Sequence, residues 1–417
     1  MFRRINAYEL GRDRKKDFSL LLLAFALLFL YGTAWHIFFG GWYAADSYVT
    51  TLLAFSYLDN GFLRRGLVGT LFSLVCRLIP AAGSAHGAVW FMWGMNIIYF
   101  ASLLLFIRWI FRRIKDEAVF RGAFFFTLIC LAFMIPTACY HQGAFGRADL
   151  MQMALCLLQV YLLVEMKYEW LTVPLTAVNV LFHEGYVLMT FCAVLIVLLY
   201  RALYTEGKRG KYWVLFALNV AVCGAVAVLS LKGGDYSHAA EHFAASSALA
   251  QQLNENGLVH YNLLYMMAGY APENAPVIDD ASFVAAELQE LPVFLVFFIP
   301  AFLVFGRGLV NLFRKADGKR IGLHIVAVLL GPALIGVEYV KYCDYGRYIL
   351  WLVFYFFVML LSFAVMGDEG ARKSLSASFG YKNLTGLLIF AVMILYQPLP
   401  TCSFTEISYK LSVLLHK

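Results

Sequence analysis

Charge is scarce in this chain. Asp, Glu, Lys and Arg together make up 14% of its 417 residues, against about 25% in an average soluble domain. That shortage excludes a protein covered by solvated side chains. Cysteine numbers eight, mostly inside apolar runs and without CxxC pairs or ligand spacing, so neither a disulfide framework nor a cysteine metal site is implied. Cys139, Cys343 and Cys402 approach one surface but form no such framework. No Walker loop, GxGxxG after a strand, GxSxG elbow or HExxH helix is present, which removes the common nucleotide, hydrolase and zinc-protease signatures. Internal repeats and low-complexity linkers are also missing, and the apolar runs leave no room for a separate soluble domain.

What the chain does contain is apolar sequence. It is 62% hydrophobic and 17% aromatic, with a mean hydropathy of +0.73, and windows of about twenty apolar residues recur throughout, each long enough for a hydrocarbon core of about 30 Å. The fold class expected is all-α: a single polytopic membrane bundle of about eleven helices. The spans fall near residues 18 to 38, 88 to 111, 122 to 138, 149 to 166, 169 to 182, 186 to 203, 212 to 231, 292 to 312, 321 to 338, 346 to 366 and 384 to 397. The first run follows MFRRINAYELGRDRKKDF, which resembles the start of a signal sequence but has no small-residue cleavage site after it, so it is expected to remain as a membrane helix.

Gly66 to Pro80 is apolar but short and interrupted by Arg77. Placed on the outer surface, it lets RRIKDEAVFR, YRALYTEGKRGK, FRKADGKR and GDEGARK share the side of the basic N-terminus, as the positive-inside rule requires. Residues 1–17 are then cytoplasmic, 39–87 form a first external loop with interfacial helices, 232–291 form a long external loop, and 398–417 are an external tail. Most of the 33 Lys and Arg then face the cytoplasm, which explains the formal charge of +7 without nucleic acid.

The ionisable residues out of keeping with their oily context gather on the outer side. The first loop carries Asp46, Asp59, Arg64 and Arg65. YHQGAFGRADL carries His141, Gln142, Arg147 and Asp149. NVLFHEGYVLMTF carries His183 and Glu184, and VEYVKYCDYGRY carries Glu338, Lys341, Asp344 and Arg347. Such groups cost about 2.5 to 3.5 kcal/mol each at membrane depth on insertion scales, so several on one face suggest a shared aqueous pocket. Asp or Glu can remove a proton there, and Arg can hold a phosphate by paired hydrogen bonds. Blander roles exist for each. Asp59, Arg64, Arg65 and Lys341 fit snorkelling or capping, Arg77 an interfacial anchor, and His183 with Glu184 a structural pair. Asp344 and Arg347 fit a helical ion pair, while His238 and His242 fit either a metal pair or solvated loop histidines. The inner loops show ordinary basic clusters.

The layout resembles that of the GT-C-type polyprenyl-phosphate-dependent glycosyltransferases: a first membrane helix, a long external loop with an Asp soon after it, and a second external loop with another acidic motif. Asp46 in WYAADSYV matches the first position and Asp149 in GRADLMQM the second, and the likeness covers roughly the first half of the chain. It implies an inverting hexosyl- or pentosyltransferase of a bacterial polysaccharide or glycolipid pathway, in the inner membrane with a periplasmic site. Asp46 would act as general base towards the acceptor hydroxyl. Arg347, with Arg64, Arg65 or Lys341, would neutralise the departing phosphate, and Arg147 and Asp344 would bind substrate. Asp149, His183 and Glu184 would orient acceptor hydroxyls or, as in the metal-using branch of the family, hold Mg or Mn. The partners implied are a polyprenyl-phosphate-linked sugar donor, a glycan or lipid-linked acceptor and membrane lipids.

Three alternatives accompany this expectation. An O-antigen-polymerase-like protein would use an arginine-led site and the loop 232–291. A lipid-linked glycan flippase would spread its charges through the membrane depth, often with inverted repeats. A membrane O-acyltransferase would use His183 as its base.

Overall fold

The structure is a computed structural model. It describes residues 8–44, 47–140, 144–232, 291–314, 318, 320–341 and 345–396. The described residues form helices and turns with no strand: α1 Arg14–Gly40, α2 Ser47–Leu53, α3 Tyr57–Asn60, α4 Gly66–Leu78, α5 Ala85–Arg113, α6 Glu117–Cys139, α7 Ala148–Glu165, α8 Thr172–Phe182, α9 Phe191–Tyr204, α10 Arg209–Lys232, α11 Leu291–Arg314, α12 Ile321–Lys341, α13 Tyr345–Val365, α14 Glu369–Phe379 and α15 Asn383–Tyr396. Short 3-10 turns cover Pro80–Ala82, Glu169–Leu171 and Glu184–Val187.

Local chemistry fixes several of these ends. Asp13 accepts from the backbone N–H groups of Lys15 and Lys16 at the start of α1, and Gly41 stops that helix at φ 80°. Ser84 caps α5 through the Gly87 N–H at 3.1 Å, and Asp116 caps α6 through the Val119 N–H at 2.8 Å. Each cap satisfies a donor that a helix start leaves without an internal partner.

Every one of the eleven expected spans carries a helix. By length and composition, seven described helices can cross a membrane, or eight if α14 and α15, bent by 88°, count as one span. The expected count of about eleven is not reached on that measure among the described residues; α8, with 11 residues, is shorter than a full span. The structure is a polytopic helical membrane bundle all the same. Large apolar side chains lie bare on its outside, among them Leu105 at 66% exposure and Leu78 at 83%.

α6 and α13 form the centre, where Phe126 stacks on Phe357 with centroids 6.5 Å apart. α1 packs along α6, and α14 wedges between α6 and α11. Lipid is as apolar as these side chains, so close packing and interhelical hydrogen bonds hold such a bundle together. Asn96 shows the second kind: its amide donates to the Ala138 carbonyl at 2.8 Å and accepts from the Gly146 N–H at 3.0 Å.

Helix lengths set the depth of the site. Arg113 pairs with Glu165 at 3.0 Å, so α5 and α7 finish at the same end of the bundle, and α8 starts back from that end after the Glu169–Leu171 turn. At 1.5 Å per residue, the 18-residue α7 rises about 27 Å, whereas the 11-residue α8 rises only about 16 Å. The turn joining α8 to α9 is thus recessed inside the bundle.

Helices α2 to α4 roof the recess. Val49, Leu53, Val68 and Phe72 pack with Trp93, Phe145 and Phe182 in a second apolar cluster. The roof sits tightly on itself, since a Cβ at Gly69 would stand 1.8 Å from the Phe55 carbonyl oxygen. With 13 residues, α4 reaches about 20 Å and is too short to cross.

Candidate functional site

The site forms where the roof meets the recessed turn. α3 ends at Gly61, and α4 starts behind Arg65, whose φ of 61° is left-handed. A side chain larger than glycine is costly in that region and persists where its surroundings hold it there. Here Glu184 is the hold. Arg64 Nε donates to Glu184 Oε1 at 2.7 Å, and Arg65 Nε reaches Oε1 at 3.1 Å and Oε2 at 2.9 Å. A terminal guanidinium nitrogen of each arginine also bonds Oε1.

The Glu184 side chain is 10% exposed, Arg65 12% and Arg64 30%. Two guanidinium groups on one carboxylate leave the trio with a net positive charge. Partly shielded from water, charges so placed interact more strongly than the same charges at an open surface.

Glu184 gains its position from residues on either side. His183 caps the 3-10 turn: its Nδ1 accepts from the Gly185 N–H at 2.9 Å. With Nδ1 as acceptor, the neutral ring carries its proton on Nε2. Gly185 is needed there, because a Cβ would lie 2.7 Å from His183 Nδ1. Gln152 of α7 donates from Nε2 to the carbonyls of Asn179 at 2.8 Å and His183 at 2.6 Å. Asp149 is buried in the first turn of α7, where the positive helix end favours a carboxylate. It shares a helix face with Gln152, three residues on. Arg147 stands at the N-cap of the same helix, in the loop that Asn96 fastens.

The structure thus joins Arg64, Arg65 and Glu184 directly, with His183 next in the chain. Asp59 is elsewhere: it binds Ser73 at 3.1 Å and Arg77 at 3.0 Å on the exposed side of the roof. Asp46, His141, Gln142, His238, His242, Cys343, Asp344 and Cys402 lie outside the described residues. Lys341 closes α12 and Arg347 lies in the first turn of α13, while their side chains and that of Glu338 are outside the described set.

Among the described residues no group of three or more His, Cys, Asp or Glu is arranged to hold a metal ion. Glu184 is occupied by two guanidinium groups, a poor setting for a cation. The described residues therefore do not fit the Mg or Mn that the family resemblance left open, and no step is assigned to a metal.

Two features escaped the sequence reading. One is a set of buried amides and hydroxyls below the turn. Gln159 accepts from Asn179 at 3.0 Å and from Tyr186 at 3.0 Å, and donates to Thr176 at 2.9 Å; Thr176 donates to Asn219 at 2.7 Å. Gln152 and Gln159, seven apart in an apolar helix, were the available signal.

The other feature is a cluster at the opposite end, where only ordinary basic loops were expected. Asp368 caps α14 through the Ala371 N–H at 2.8 Å. It also meets His324 at 3.0 Å and Arg320 at 3.2 Å, and Arg320 donates to the Tyr200 hydroxyl at 2.8 Å. Burial pushes the Asp368 carboxyl up, yet the bonds from His324 and the Ala371 N–H, with Arg320 beside them, outweigh it and hold the group below its ordinary value.

No protein-family model, curated protein or solved structure matches this chain.

Proposed function

We propose that the protein is a membrane glycosyltransferase that moves a sugar from a polyprenyl-phosphate-linked donor to a cell-surface glycan or glycolipid acceptor on the outer face of a bacterial inner membrane. The observation that carries this reading is the Arg64–Arg65–Glu184 cluster, two guanidinium groups gathered on one carboxylate and recessed in an apolar bundle beneath an amphipathic roof. The bilayer presents such a donor with its tail in the hydrocarbon and its phosphate near the interface. A guanidinium pair at that depth suits the charge that develops on the phosphate as the glycosidic bond breaks.

In this reading Glu184 is a fixed counter-ion that orients the two arginines, not a base. Asp46, by its place in the family pattern, takes the proton of the acceptor hydroxyl during in-line attack at the anomeric carbon. The anomeric C–O bond to the phosphate breaks, and the polyprenyl phosphate leaves with that electron pair. Asp149 and His183 bind acceptor hydroxyls. Arg147, Lys341, Asp344 and Arg347 complete the substrate contacts.

The prominence of arginine among the described groups favours a second reading, an O-antigen-polymerase-like enzyme whose acceptor is itself a lipid-linked glycan. Transfer of labelled sugar from polyprenyl phosphate, measured in membranes at matched expression, tests the first reading. Wild-type activity with loss in Asp46→Asn and Arg347→Ala is expected. Full activity in both variants removes the assignment, and chain extension without single-sugar transfer selects the polymerase.

A further inference from the structure

The recessed turn raises a physical problem that Gln152 solves. A helix that ends inside a bundle leaves its last carbonyls without intrahelical partners, where water is scarce. At the end of α8, the Asn179 carbonyl receives the His183 N–H at 3.3 Å, a long bond, and the His183 carbonyl receives the Tyr186 N–H at 3.0 Å. Gln152 adds a donor to both carbonyls from a single Nε2.

Both partners are carbonyl oxygens, so the orientation of the amide is fixed: its NH2 must face them. Its Oε1 is then buried, and no donor among the described residues reaches it. An apolar residue would avoid that penalty. What an apolar residue could not do is tie the last turn of α8 to the residue that begins the Glu184 turn.

We propose that Gln152 is a positioning residue for the Arg64–Arg65–Glu184 cluster. By clamping the Asn179 and His183 carbonyls to α7, it fixes the height and rotation of the recessed turn and so the place where Glu184 meets the two arginines. The inference rests on the reading of that cluster as the ligand site, but its test requires no transfer activity.

The test uses the full-length protein in detergent and follows modification of Arg64 and Arg65 by phenylglyoxal, read by peptide mass spectrometry, in wild type, Gln152→Met and Asn219→Leu. Gln152→Met keeps length and bulk and removes the donors. Asn219→Leu removes a buried amide from the far part of the same network, so it controls for general loosening. Gln152→Met is expected to raise the modification rate of both arginines about threefold, the shift that one interhelical hydrogen bond of average membrane strength holds back. Asn219→Leu is expected to lower Tm while leaving that rate at the wild-type value. Gln152→Asn serves where the methionine variant does not fold: one methylene shorter, its amide cannot reach both carbonyls, and a smaller rise is expected. A wild-type rate in the Gln152 variants, or an equal rise in Asn219→Leu, overturns the proposal. Failure of the sugar-transfer assay would leave this result standing, so the two ideas fail separately.

Discussion

Arg65 enters α4 in a left-handed backbone conformation while its guanidinium grips Glu184, 119 residues further along the chain. One ion pair thus ties the roof to the recessed turn and offsets a backbone cost at the same position. Glu184→Gln is expected to destabilise the protein by about 3 kcal/mol, because it removes the carboxylate charge that two shielded guanidinium groups share. Thermal unfolding in detergent measures this. A Tm equal to wild type would mean that the pair does not hold the roof.

Gly185→Ala probes the turn itself. The new Cβ would meet His183 Nδ1 at 2.7 Å, so either the cap bond or the turn must give way. A loss of about 1 to 3 kcal/mol is expected, typical of overpacking at a tight site. Unchanged stability would show that the His183 cap is dispensable.

Acid should act at the opposite end. The Asp368 carboxyl is held below its ordinary value when folded, so its contribution is present above the unfolded value and is lost as pH falls through the folded one. Stability is expected to decline below about pH 4, and Asp368→Asn should flatten that decline while lowering stability at neutral pH. Unfolding midpoints across pH 3 to 7 for both proteins check the sign. The same acid-induced loss in Asp368→Asn would place the sensitive group elsewhere.

The sequence carried the helices well and the contacts poorly, for separable reasons. Hydropathy alone located α5, α6, α9, α10 and α13 to within a few residues, because the bilayer forces each to be long and oily. The fifth expected span, residues 169 to 182, was already short and ends where α8 ends, but hydropathy could not show that this end lies recessed among the longer helices. Arg64, Arg65 and Glu184 stood out singly as charges in apolar context, yet their convergence depends on the recess and the roof meeting. Gln152 and Asn179 gave no charge to notice. The Asp368–Arg320–His324 cluster was hidden because basic residues near a membrane edge are already explained by orientation.

The roof and the Asp368 cluster belong to opposite faces of the bilayer in this account. Asp59 and Glu369 are both exposed, so in a background without native cysteines an impermeant maleimide added to intact cells should label Asp59→Cys and spare Glu369→Cys until the membrane is opened. Labelling of both from one side would break the topology.

The most direct test compares two arginines of the same roof. Arg65 grips Glu184 in the recess, whereas Arg77 pairs with Asp59 on the exposed side at 3.0 Å. Initial rates of labelled-sugar transfer from polyprenyl phosphate should fall about 100-fold in Arg65→Met, the scale of losing one electrostatic contact to a developing charge, and stay within about twofold of wild type in Arg77→Met. Equal rates in the two variants would contradict the account.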